Sequence, residues 1–184
     1  MRPIRADAVR NRRKILDAAA QITAHGPEVG MDEIAAAAGV AVGTLYRHFP
    51  NKVDLLSAVI AEYVAEVADD ADASLARARD GSRALDEVVG FLDRVVESTA
   101  HNHAVKAAAK LLGVDGYGQQ SDEARAGAAL AELLRLGQDA GDVRPQVTID
   151  DIYLLMATAP TDQPAEVRRR WLALVLPGIT TAGP

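Results

Sequence analysis

The sequence predicts an all-α protein of about nine helices, three short ones at the N-terminus followed by a larger helical body. Three observations carry that class. Alanine is abundant and β-branched clusters are few, and alanine loses no side-chain entropy in a helix. Apolar residues recur at spacings of three and four through nearly every segment. Glycine, proline and capping residues separate those segments at helical lengths. No internal repeat is visible. The run Trp171 to Leu176 has strand propensity, but it follows a charged, capped helix start, so helix is the reading there.

The elements follow in order. Residues 8–25 carry Ile15, Leu16, Ala18, Ala19 and Ile22 as one apolar stripe, and Gly26-Pro27 ends it. A second helix fits Met31 to Ala38, with Asp32 and Glu33 favourably placed in its first turn, Gly30 as a cap without a side-chain acceptor and Gly39 as its stop. A third fits Val42 to Phe49, closed by Pro50. Asn51 caps the fourth, with Asp54 three residues on as the reciprocal partner. Its stripe of Val53, Leu56, Ile60, Tyr63, Val64 and Val67 carries it to the low seventies, where Asp69, Asp70 and Asp72 read as a solvated face.

A fifth helix fits 82–100 and a sixth 103–113. The glycine-rich stretch Gly113 to Glu123 reads as a loop, and a seventh helix runs over 122–140. Thr148 and Asp151 form a capping box opening the eighth, which Pro160 ends. Gln163-Pro164-Ala165-Glu166 starts the ninth, with Pro at the first helical position. It carries RRRWLALVL and stops at Pro177-Gly178, leaving TTAGP as a frayed tail.

Composition excludes several function classes. Without cysteine there is no disulfide, thiolate nucleophile or cysteine zinc site. MRPIRADAVRNRRK has no apolar core, so it does not read as a signal peptide. No run of eighteen apolar residues exists, so no membrane span is expected. A cytoplasmic protein without membrane partners is the expectation. An enzyme is not expected, because four histidines offer no Ser-His-Asp arrangement. His101 and His103 point to different sides of a continuous helix and lack a third ligand, so no metal and no cofactor are expected.

The net charge of -6 is unevenly spread. Residues 1–52 hold eight Lys or Arg against five Asp or Glu, a net of +3, while residues 53–184 hold twelve against twenty-one. A basic head on an acidic body suits a small polyanion-binding module joined to something else. The domain boundary is therefore drawn at 52/53, giving a head (1–52) and a helical body (53–184).

Met31–Ala38, a turn at Gly39–Ala41 and Val42–Phe49 have helix-turn-helix spacing. In such a unit the second helix lies in the major groove of DNA. Ile34 and Ala35 are placed to pack on Val40, Leu45 and Phe49, with Ile15 and Ile22 on the other side. Thr44 offers a hydroxyl and a methyl, Tyr46 and His48 are placed to donate to phosphates, and Gly43 allows close backbone approach. Lys52 stands in the first turn of helix 4, where free N–H groups also favour an anion. Arg2 and Arg5 are placed to reach an adjacent groove.

Gly39 through Lys52, GVxxGTLYRHFPxK, resembles the DNA-binding signature of the TetR family of bacterial transcriptional regulators. MDEIAAAAG and ILDAAAQITAHG resemble that family's second and first helices, so the resemblance covers residues 9–56. The weaker pattern RRRWLALVLPGI leans toward an SbtR-like body. The resemblance implies a homodimeric repressor of a palindromic double-stranded DNA operator, released by a small effector; an activator, or control by a protein partner, is the alternative. It places Val42, Gly43 and Thr44 in or against the major groove and makes Tyr46, His48 and Lys52 phosphate contacts. One departure stands at Gly30, where the family often has Ser or Thr.

The body supplies the remaining candidates. An effector pocket among helices 4–7 draws on Tyr63, Phe91, Val95, His103, Leu111 and Tyr117, with polar help from Arg94, Asn102 or Gln119; few charges favour an apolar or amphipathic ligand. The last two helices are expected to form a four-helix dimer interface through Leu154, Leu155, Trp171, Leu174 and Val175, with Arg168 to Arg170 at its rim or against the acidic body.

Overall fold

The computed structural model describes residues 3–23, 29–113 and 120–181, and among these it is helical in nine segments. They are α1 (Pro3–Thr23), α2 (Met31–Ala38), α3 (Val42–His48), α4 (Lys52–Arg79), α5 (Ala84–His101), α6 (His103–Leu111), α7 (Gln120–Asp139), α8 (Ile149–Thr158) and α9 (Ala165–Ile179). The chain divides into two compact units, residues 1–63 with 101–118 and residues 64–100 with 119–184. Helix α4 begins where the charge changes sign, at Lys52, and changes unit further on, between Tyr63 and Val64.

The first unit is built on α1, α2 and α3 in mutual contact, with α6 also against α1. Ile15, Ala19, Ile34, Ala35 and Leu45 are wholly buried. Removing a leucine or isoleucine side chain from water contributes about 1.5–3 kcal/mol. Gly39 ends α2 in the left-handed region (φ 64°), and its neighbour Val40 donates to the Ala35 carbonyl at 3.0 Å. An L side chain there would strain the turn that sets α3 against α2. As expected, Gly30 caps α2 without a side-chain bond. The Asn51 carboxamide accepts from Asp54 N–H at 2.9 Å and donates to its carboxylate at 2.9 Å.

The second unit has its own core, centred on Val88, Leu92, Leu133 and Ile152. Gly137 lets α7 meet the segment after it, since a Cβ would lie 2.6 Å from Val143 Cγ2. The capping box is present: the Thr148 hydroxyl accepts from Asp151 N–H, and the Asp151 carboxylate accepts from Thr148 N–H.

Tertiary structure overrides three local signals. Helix α4 runs past the low seventies to Arg79. Asp70 takes Arg94, and Asp69 and Asp72 take Arg125, so the acidic face is cross-linked to α5 and α7. Helix α9 passes through Pro177 to Ile179, whose side chain is buried. Arg144 receives that end: its backbone N–H donates to Ile179 O and its guanidinium to Thr180 O and Pro177 O. A cation bonding the last carbonyls complements the helix dipole. The start of the TTAGP tail is held as well, since Thr181 donates to the carbonyls of Asp142 and Gly141. The stop at Gly26-Pro27 falls outside the described residues.

Candidate nucleic-acid interface

Helix α3 presents two unlike sides. Leu45 is wholly buried and Phe49, just past the end, is nearly so. Val42, Gly43, Tyr46 and Arg47 are exposed, with Thr44 and His48 half-buried. A buried anchor with small and polar neighbours turned outward is the arrangement of a helix offered to a groove. Nothing lies within 4 Å of a Cβ built on Gly43, so the glycine keeps open space on the outer side.

Nearby cations brace this platform. The Arg12 guanidinium of α1 sits 5.5 Å from the Phe49 ring centre, within cation–π range. Arg13 pairs with Asp17 and with Glu62 of α4. Lys52 donates to the Val29 carbonyl at 2.6 Å, holding the segment before α2 to the start of α4. Its ammonium therefore has an intramolecular task. The Arg5 backbone lies in α1 while its side chain is outside the described residues, as is Arg2 entirely.

Arg47 is the residue that sequence reasoning passed over. Its Nη2 donates to Thr44 Oγ1 at 3.0 Å and its Nε to the Gly43 carbonyl at 3.3 Å. The signal was available: a cation three residues past Thr44 falls on the same helical face.

Comparison with known proteins bears on this geometry. The profile for bacterial regulatory proteins of the tetR family matches residues 15–59, and that for the C-terminal domain of SbtR-like transcriptional regulators matches residues 83–181. The chain belongs to the TetR family. A TetR transcription regulatory protein from Mycobacterium vanbaalenii is 34% identical, with a TM-score of 0.74 over 97% of this chain and 100% of that one. The TetR regulator SCO0520 from Streptomyces coelicolor is 25% identical, with a TM-score of 0.71 over 93% and 99%. The HTH-type transcriptional repressor LfrR of Mycolicibacterium smegmatis is 42% identical over 89 residues, 48% of this chain and 43% of its own length. The chain thus spans less than half the length of that curated relative.

In this TetR-family chain the five described pocket candidates are divided between the two units. Tyr63, His103 and Leu111 belong to the first unit, and Phe91 and Val95 to the second. Leu111 is 76% exposed and His103 is exposed as well. Phe91 is a core residue of the second unit. Tyr117 and Gln119 lie outside the described residues. Tyr63 is buried, and the Lys106 ammonium sits 4.3 Å from its ring centre. Burial holds the Lys106 pKa below the usual lysine value. Val95 does border a hollow of about 180 Å³, with Val67, Glu66, Asp70, Arg94 and Ser98 around it.

The five candidate dimer residues all belong to the second unit. Leu154 is 63% and Leu174 61% exposed. Leu155, Trp171 and Val175 are half-buried against the core of the second unit. A second hollow, about 310 Å³, is bordered by Leu154, Leu155 and Val175. Arg168 is bonded to Glu97, against the acidic body, which lowers the Glu97 carboxyl pKa.

Proposed function

We propose that this TetR-family chain is a dimeric, effector-responsive transcriptional repressor that binds a palindromic DNA operator through α3. One observation carries the reading: Leu45 anchors α3 from one side while Val42, Gly43, Tyr46 and Arg47 stand exposed on the other. Residues 1–52 form the DNA-reading part and 53–184 the regulatory part. Val42, Gly43 and Thr44 meet the groove, Tyr46 and His48 donate to phosphates, and Lys52 and Arg5 add charge. The work is done in the bacterial cytoplasm, where the operator is.

Two apolar surfaces support the rest. Leu154 and Leu174, exposed beside Leu155, Trp171 and Val175, suit a second copy related by a two-fold axis. The hollow beside Val67 and Val95, edged by Arg94 and Ser98, suits a small amphipathic effector. Release follows if the effector favours the dimer geometry that fits the operator less well.

The test is fluorescence anisotropy on labelled DNA from the gene's own upstream region, against a scrambled duplex at matched, near-physiological salt. The parent is expected to prefer the native duplex. Tyr46→Phe removes a hydrogen bond to a charged oxygen and should weaken that binding by about tenfold to a hundredfold. Equal binding to both duplexes and to a pool of genomic fragments would overturn the reading.

A further inference from the structure

We infer that Arg47 is a specificity-determining residue that recognises a guanine in each operator half-site; the inference rests on α3 being the DNA-reading helix. An arginine in the last turn of a short helix has an ordinary use, which is to stabilise the C-terminal carbonyls. Arg47 stands in that turn, yet its side chain runs the other way. Its Nε and Nη2 return by one turn to the Gly43 carbonyl and the Thr44 hydroxyl. The guanidinium is thereby carried over the first turn of α3, the part of a recognition helix that meets base edges.

Charge points the same way. Arg10 and Arg13 of the same unit are paired with carboxylates, and Arg12 stacks over a ring. Among the described residues, Arg47 is bonded only to neutral acceptors. Two of its five N–H donors are engaged, which leaves three for a ligand. A planar fork with unneutralised charge matches the O6 and N7 acceptors of guanine, and the hydroxyl and carbonyl that hold it fix its orientation. Gly43, one turn before Arg47, adds no side chain in front of it.

The experiment selects bound duplexes from a randomised pool with the parent, Arg47→Ala and Arg47→Lys, then measures affinity for the selected site and its single-base variants across salt concentrations. The parent should require guanine at one position per half-site. Arg47→Ala should accept any base there and bind the guanine site roughly tenfold to a hundredfold more weakly. Its salt dependence should match the parent's, because no phosphate contact is lost. Arg47→Lys keeps charge and helix propensity but not the fork, so it should lose preference at that position and serves if the alanine variant does not fold. Uniform weakening on all duplexes with a shallower salt slope would make Arg47 a phosphate contact and overturn the inference. Unchanged selection by both variants would do so too, while leaving the DNA-reading proposal intact. A parent that selects no sequence would overturn both.

Discussion

The two units put opposite chemistries on their surfaces. In the first, α3 shows a guanidinium, a phenol and an imidazole around small residues, above a core closed by Leu45. In the second, charged groups largely satisfy one another. Arg83 grips Asp142 through two bonds, Arg94 takes Asp70, Arg125 gathers Asp69, Asp72 and Asp122, and Arg168 takes Glu97. What stands out there is apolar, at Leu154 and Leu174. The lesson is that net charge is a poor guide to either surface. Many cations of residues 53–184 are taken up in internal ion pairs, and in the head Arg10 and Arg13 are paired as well, while Arg47 on α3 meets only neutral acceptors.

The largest effect expected is on the apolar surface. Leu154→Glu and Leu174→Glu place carboxylates where a second copy is proposed to pack, and an unpaired charge there costs several kcal/mol. Sedimentation should show monomers at concentrations where the parent is dimeric, with operator affinity falling about a hundredfold or more as two-headed binding is lost. Variants that stay dimeric would refute this surface as the interface. The contrast between units would then need another explanation for the exposed leucines.

Next in size is the anchor of the head. Leu45→Ala empties a fully buried site and should cost about 2–5 kcal/mol. Hydrogen exchange should show amides of α1–α3 losing protection while those around Leu92 and Leu133 keep theirs. Equal loss in both units would mean that they unfold together.

Acid should act on the second unit. Hydrogen bonds from Arg77 and Arg168 lower the pKa of Glu87 and Glu97, and Arg83 lowers that of Asp142. Arg135 holds Glu132 at about 2. A depressed folded pKa means that the unfolded chain binds the proton first. The stabilisation is therefore complete above the ordinary carboxylate values near 4 and is lost as pH falls from there through the depressed values. Urea midpoints should drop over that window. Glu97→Gln should show a smaller drop, having lost its share already at neutral pH, and an identical drop would remove Glu97 from the account.

Local signals made the head legible. Gly39, Gly30, Pro50 and the Asn51–Asp54 pair are short-range devices, each interpretable within four residues, and together they placed α2 and α3. The capping box at Thr148 was legible for the same reason. Long-range contacts were not. Nothing near Pro177 announces that Arg144 waits for the end of α9, and nothing near Asp69 announces Arg125. The burial of the pocket candidates was not legible for the same reason, since periodicity places Phe91 and Leu111 on helix faces without saying which face is core and which is solvent. Arg47 lies between these cases: its spacing from Thr44 was visible, and the direction of its side chain was not.

The smallest effect expected falls on Lys106, a half-buried cation in a unit whose other cations are mostly at the surface. Its ammonium sits 4.3 Å from the Tyr63 ring centre, and cation–π contacts are worth about 0.5–2 kcal/mol. Burial acts against the charge and lowers the pKa. Below the lowered value both folded and unfolded chains carry the proton, and folding bears the desolvation. Between that value and the ordinary lysine value near 10.4 the folded chain releases its proton first, so stability should rise with pH across that window. Lys106→Met keeps the length and loses the charge. Two opposing terms of similar size leave a change within about 1 kcal/mol at neutral pH, and the alkaline rise should shrink. An unchanged alkaline rise in Lys106→Met would mean that another group of the chain carries that titration.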